Sequence, residues 1–133
     1  MIKKNILSLL LVLTALFTFN SCEVEHDEFY EFEQLLYSND WREEYDNDNG
    51  ERVYHEVYFN SNGTGNSHYE YFRGNISTGN ENRPFTWEWD QDYPYSIYID
   101  YLDGKYSYFG DMHINGYKLF GVWDDTDVVF KAI

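Results

Sequence analysis

Four histidines and 24 carboxylates are the first candidates in this chain to ligate a metal or move a proton. His68 and Glu70 share one face of an alternating stretch, as do Asp111 and His113, and imidazole with carboxylate is a donor set that binds zinc across strands. Nothing in the spacing brings the two pairs to one point, so no metal is assigned. Asn47, Asn49, Gly50 and Glu56 fall at the third, fifth, sixth and twelfth positions of a calcium loop. Tyr45 stands where that loop needs its leading carboxylate, and Glu56 lies in a strand pattern where a helix is required, so the segment reads as a hairpin turn. His55, between Val53 and Val57, reads as a buried histidine with a hydrogen-bond partner. With so many acidic residues, some pair satisfies any glycosidase spacing, which makes that signal empty. There is no Gly-x-Ser-x-Gly elbow and no phosphate-binding glycine loop. No catalytic residue and no cofactor is assigned, and the chain is read as non-enzymatic.

The aromatic surplus carries more information than any of these motifs. Fourteen tyrosines, ten phenylalanines and four tryptophans exceed what a small core encloses, so some face outward. Tyrosine is a good strand former with a wettable hydroxyl, which accounts for part of the excess. Aromatic faces beside carboxylates also make a platform for sugars or for a protein partner.

The elements that position these groups are strands. Val53, His55, Val57 and Phe59 alternate with Arg52, Tyr54, Glu56 and Tyr58, the period of two of a sheet. Asn60-Ser61-Asn62-Gly63 breaks the run with residues that tolerate positive φ, and the chain returns through His68 to Phe72. Trp41 opens a first strand reaching about Tyr45, and Gly74 to Asn82 reads as the longest polar loop. Phe85, Trp87 and Trp89 then alternate with Thr86, Glu88 and Asp90. Further strands are expected over Tyr95 to Leu102, Lys105 to Ile114, Tyr117 to Trp123 and Asp127 to Ile133. Asp103-Gly104 and Asn115-Gly116 are type I′ signals, and Asp124-Asp125 is a further turn. About eight consecutive antiparallel strands result. A flat meander leaves two aromatic edges open, whereas closure satisfies them, so the fold class is all-β, a small up-and-down antiparallel barrel. Eight strands enclose a lumen that side chains just fill or that holds one small ligand. Phe29, Phe32 and Leu36, with Leu35, recur at helical spacing, Asp27 is placed to cap the start, and Ser38-Asn39-Asp40 ends the pattern; this short helix is expected to lie across one end of the sheet.

Ahead of the fold, Lys3 and Lys4 precede an apolar run from Ile6 to Phe19 that ends at Asn20-Ser21-Cys22, the plan of a signal peptide and too short for a spanning helix. The chain's one cysteine directly after that run resembles a bacterial lipoprotein signal in the relaxed form seen in Bacteroidetes. The resemblance implies cleavage before Cys22, a diacylglycerol on its thiol and attachment to the membrane through that lipid. Residues 1–21 are thus read as leader, 22–38 as an acidic tether and short helix, and 39–133 as the barrel. The acidic run Glu23-Val24-Glu25-His26-Asp27-Glu28 is similar to the surface-export signal of the same lipoproteins, which implies the outer membrane and its external face. Without the leader, seven basic residues stand against 24 acidic ones, a net charge of −17, which opposes nucleic acid as a partner and favours cations or basic partners.

Leu35-Leu36 followed by Trp41, then Phe59-Asn60-Ser61-Asn62-Gly63-Thr64-Gly65, then Phe85-Thr86-Trp87 resembles the lipocalin-like domains of Bacteroidetes lipoproteins, with Asn39 where lipocalins carry glycine. The resemblance implies a calycin-type barrel and carries over no functional residue. The expected function is a lipid-anchored binding module of the cell envelope, its ligand a small apolar molecule, a glycan or a partner protein. The barrel mouth is the expected site, with Trp41, Phe85, Trp87, Trp89 and Trp123 as ligand-binding residues. The alternative is an accessory subunit that docks on an outer-membrane complex through exposed aromatic strand faces. An aromatic-lined open lumen favours the first; a filled lumen with a continuous outer aromatic strip favours the second.

Overall fold

A computed structural model describes residues 28–133. Residues 28–38 are helical (α1), and eight strands follow: β1 Trp41–Asp46, β2 Arg52–Phe59, β3 Thr64–Arg73, β4 Ile76–Trp89, β5 Ile97–Asp100, β6 Tyr106–Asn115, β7 Lys118–Trp123 and β8 Thr126–Ala132. Each strand pairs antiparallel with its sequence neighbours, and β8 returns to β1, so the sheet is a closed up-and-down barrel. Cys22, the expected lipidation site, lies outside the described residues, as do the expected leader and the tether up to Asp27.

The chain divides into two compact units, Met1–Gln34 and Leu35–Ile133. In the first, residues 28–34 are helical and the Phe29 and Phe32 rings lie 6.4 Å apart. The second unit begins with the last turn of α1. There Leu36 is fully buried, its carbonyl accepts from the Trp41 indole at 3.1 Å, and the Tyr37 ring lies 5.8 Å from that of Trp87.

Inside the barrel the alternation of β2 holds to its end. Val53, His55, Val57 and Phe59 are all buried, while Arg52 and Tyr58 face solvent. Two register pairs close the ring, Trp41↔Ala132 and Arg42↔Lys131. On its other side β1 pairs with β2 through six positions, as far as Asp46↔Arg52. From Glu43 onward the β1–β8 seam is therefore unzipped on one side of the barrel.

Three details differ from the sequence expectation. The expected loop from Gly74 to Asn82 is only the turn Gly74-Asn75, and β4 begins at Ile76. Its first half has no apolar face because it extends the β3–β4 hairpin away from the core, and the β3 backbone ladder supplies the pairing that side-chain pattern does not. A bulge sets Tyr71 opposite Gly79 and Phe72 opposite Ser77, leaving Thr78 as the extra residue. The Thr78 hydroxyl donates to Glu51, and Arg73 donates to the Asn49 carbonyl at 3.0 Å, so the hairpin tip is tied to the β1–β2 turn. Second, β5 keeps only four residues, because Tyr95 (φ 54°) and Leu102 (φ 67°) take left-handed backbone just outside it. Third, the turns differ in type. Positive φ falls at Leu102 and Gly104, not at Asp103, and at Gly116 but not Asn115; the pair with φ above zero at both centres, as type I′ requires, is Asp124-Asp125 (46° and 68°).

The connection from β4 to β5 is held by Asp90. Its carboxylate accepts from the Asp92 N–H at 2.9 Å and from the Tyr108 hydroxyl at 2.8 Å. These bonds, with one from Tyr98, hold the Asp90 carboxyl below its ordinary 3.8. A carboxyl depressed in the folded state stabilises the fold above its unfolded pKa, and the contribution is lost as pH falls through the folded value. Asp90→Asn is therefore expected to destabilise the barrel at neutral pH and to flatten the acid limb of its stability profile below about pH 4. Denaturant midpoints taken down the acid limb check this: a variant that loses stability in parallel with the parent removes Asp90 as a source of the limb.

Candidate functional site

The lumen has a filled end and an open end, and the strand register separates them. At the end where β1 starts and β8 finishes, Trp41, Val57, Phe59, Phe85, Leu119 and Phe130 are buried with Leu36. Phe59 lies 5.7 Å from Phe85 and 6.4 Å from Phe109, and the Trp87 indole donates to the carbonyls of Asn60 and Thr64 beneath it. This end is a packed plug.

His55 forms the boundary. Its ring is 3 % exposed, lies parallel to Tyr69 at 4.2 Å, and meets Trp123 and Phe130 edge-on at 5.6 and 5.5 Å. Its Nε2 hydrogen-bonds the Ser67 hydroxyl at 3.0 Å, the partner expected of a buried histidine. Ser67 also reaches the Tyr101 hydroxyl, which bonds Ser107, and Ser107 donates to Asp124 at 2.7 Å. A chain of polar groups thus crosses the barrel under the open end. Such a network holds the His55 and Tyr69 rings in one orientation.

Above that floor lies a cavity of about 630 Å³, within the range of small-molecule sites. Glu43, Glu44 and Tyr45 from β1, His55, Tyr69 and Trp123 line it, with Asp124 and, across the seam, Thr126, Asp127, Val128 and Val129 of neighbouring β8. The unzipped β1–β8 seam forms one wall, so the space opens sideways as well as upward. Burial pushes the Tyr69 hydroxyl well above its ordinary range and also raises that of Tyr45, with neighbouring Glu43 adding to both. Both phenols are therefore neutral donors at physiological pH.

Glu43 Oε2 lies 3.8 Å from His55 Nδ1, beyond hydrogen-bond reach. Ser67, His55 and Glu43 stand in the order of an acyl-transfer triad, but the roles are not available to them. Ser67 has no exposed surface, so a substrate carbonyl has no path to its hydroxyl.

The five aromatic residues expected to bind ligand are not one site. Trp41, Phe85 and Trp87 are buried in the plug; Trp89 is half-buried with its ring 5.3 Å from Trp87. Trp123 alone of the five lines the cavity, at the opposite end of the barrel, where it pairs with Thr126 beside the β7–β8 turn. Phe85 and Trp87 therefore fill one end of the lumen and leave no space there for a ligand.

The metal candidates stay apart. His68 and Glu70 sit 3.4 Å from each other on β3, and Asp111 and His113 are on β6, which is not its neighbour. The His113 ring stacks on Phe120 at 4.6 Å, and Asp111 is in the β6 bulge with φ 51°. Among the described residues no three His, Cys, Asp or Glu side chains converge to hold an ion. The loop with calcium-like spacing is a hairpin turn: the Asn47 side-chain oxygen accepts from the backbone N–H of Asn49 and Glu51, and Glu56 pairs with Arg42 at 3.6 Å.

Glu43, Tyr45 and Tyr69 are the site residues that aromatic counting passes over. Alternation counted forward from Trp41 sets Glu43 and Tyr45 on the same inner face, and that was the available signal. Searches of protein-family models, curated proteins and solved structures find nothing that matches this chain.

Proposed function

We propose that this chain is a lipocalin-like, lipid-anchored binding module of the bacterial cell envelope that holds a small ligand in the open half of its barrel and performs no chemistry on it. The observation that carries the reading is the cavity of about 630 Å³ bounded by Tyr45, Tyr69 and Trp123 over the His55–Ser67 floor. A lumen without function is normally packed to the density of the plug, since each void forfeits dispersion and transfer energy. Here a hydrogen-bonded network stops the packing halfway. Attachment through the lipid on Cys22 keeps the module at the outer membrane, where its acidic surface opposes nucleic acid.

The alternative, docking through outer aromatic faces, has weaker support. Tyr98 on β5 and Tyr106 on neighbouring β6 share one surface pocket, but exposed Tyr58 on β2 and Tyr117 in the β6–β7 turn stand elsewhere and do not extend it into one strip.

Native mass spectrometry of the full chain, released from membranes after incubation with envelope extract, tests the module. The expected result is a small-molecule adduct that is lost in Tyr69→Ala, together with a diacylglycerol mass on the chain that is lost in Cys22→Ser. A chain that returns with no adduct but bound to another protein would move the function to the outer surface.

A further inference from the structure

We infer that the ligand of this cavity is an organic cation, an amine or quaternary ammonium with an apolar body, an assignment that rests on the cavity being the ligand site. The charge of the lining is one-sided. Glu43, Glu44, Asp124 and Asp127 contribute four carboxylates, and no lysine or arginine is among the lining residues, although Glu44 is met by Arg52 at 3.2 Å and Asp124 accepts from Ser107 and the Tyr108 N–H. The rest of the wall is the rings of Tyr45, His55, Tyr69 and Trp123 with Thr126, Val128 and Val129 of β8.

At two other places in the barrel where carboxylates stand beside an aromatic face, the chain supplies its own cation. The Arg83 guanidinium lies 3.8 Å over the Tyr101 ring, with Glu81 and Asp103 at 3.8 and 3.7 Å. Arg42 lies 4.5 Å over Tyr54, with Glu56 at 3.6 Å. At Glu43 the same combination recurs, and among the described residues no arginine or lysine pairs with it. Glu43 is central to it: its side chain is 16 % exposed, it lines the cavity with the rings, and among the described residues its sole ion-pair neighbour is the distant His55 nitrogen. A carboxylate so far removed from water is costly unless hydrogen bonds or a cation meet it; Asp90 is met by hydrogen bonds, and a bound cation would meet Glu43. Ring faces add to the attraction, because the negative centre of an aromatic quadrupole favours a positive charge over it.

The same inventory argues against the other ligands of this size. A fatty acid or other carboxylate enters against Glu43, Asp124 and Asp127, and a neutral sugar can donate hydroxyls to Glu43 but leaves its charge unbalanced. A bare divalent ion needs several converging donors at about 2 Å, and no such group exists among the described residues. An organic cation needs only one carboxylate and a ring wall, and its apolar body fills the remaining volume.

Isothermal titration of the full chain with three probes of similar body tests this: benzyltrimethylammonium, benzyl alcohol and phenylacetate. The cation is expected to bind at least about tenfold more tightly than the alcohol, and phenylacetate more weakly than either. Glu43→Gln keeps the shape of the side chain and is expected to weaken the cation about tenfold while leaving benzyl alcohol unchanged. Trp123→Phe, which keeps a ring, retains most of the cation affinity. Equal binding of alcohol and cation, tighter binding of phenylacetate, or indifference to Glu43→Gln overturns the assignment and leaves the cavity standing as a site. Binding of none of the three, with Trp123 fluorescence unmoved, overturns the cavity and the assignment together.

Discussion

Phe109→Ala is expected to lower the unfolding free energy by about 3–5 kcal/mol, a large part of the roughly 5–15 kcal/mol that holds a domain of this size together. Phe109 has no exposed surface, and its ring lies 5.0 Å from Trp123, 5.9 Å from Phe130 and 6.4 Å from Phe59. It thereby joins the plug to the ring that walls the cavity. The upper part of the range is expected because the site collapses poorly. Across from Phe109 stands Gly121, which has no side chain to move into the void, and the strand that carries it is fixed on both sides by hydrogen-bonded neighbours. Denaturant unfolding provides the measurement: the midpoint falls with little change in slope. A loss below about 1.5 kcal/mol would mean that Trp123 and Phe130 close over the gap. The site reports on the same change, because Trp123 loses the ring it rests against. Its emission is therefore expected to shift to the red in the folded variant, and the affinity of the cavity to fall with it.

How much of this was legible in the sequence differs from element to element. The β2 pattern was fully legible, since all four of its inner residues are buried and the alternation is unbroken. Closure was legible from the number of strands and the cost of open edges, and the ring forms through only two register pairs. The first half of β4 was not legible. Ser77, Thr78, Gly79, Asn80 and Asn82 have turn and loop character, and neither face of that stretch reaches the core to impose a period. Its strand state comes from β3, a neighbour that local pattern does not contain.

At the site the legible and illegible parts were reversed. Trp41, Phe85 and Trp87 were read as ligand-binding because they are large and aromatic, and that is also the property that fits them to fill a plug. Glu43 was passed over because a glutamate on a strand reads as solvent-facing. Its position two residues after Trp41 sets it inward all the same, and the inward carboxylate, not the tryptophans, distinguishes the open end from the filled one.

Gly65→Ala is expected to destabilise the barrel by about 3 kcal/mol, near the top of the range for overpacking, although it adds one methyl group. A Cβ at Gly65 meets two atoms of the Phe85 ring at 2.5 Å and the Tyr58 carbonyl oxygen at 2.5 Å. Neither retreats cheaply. Phe85 is 2 % exposed and is held between Phe59 at 5.7 Å and Tyr101 at 6.1 Å; the carbonyl belongs to the β2 backbone, in register with β3. Gly74 provides the contrast, because a Cβ there meets nothing within 4 Å and the cost is only that of a left-handed backbone at φ 59°, about 1–2 kcal/mol. The two effects separate by their structural reach. At Gly74 the plug is untouched, so near-ultraviolet circular dichroism of the folded protein stays at its parent intensity. At Gly65 the Phe85 ring is displaced toward Phe59 and Tyr101, and because Tyr101 hydrogen-bonds Ser67, the disturbance passes to the His55 floor of the cavity. A Gly65→Ala protein that unfolds at the parent midpoint would show that the β2–β3 pair yields where its ladder looks rigid, and the plug would then not be the fixed base on which the open end is built.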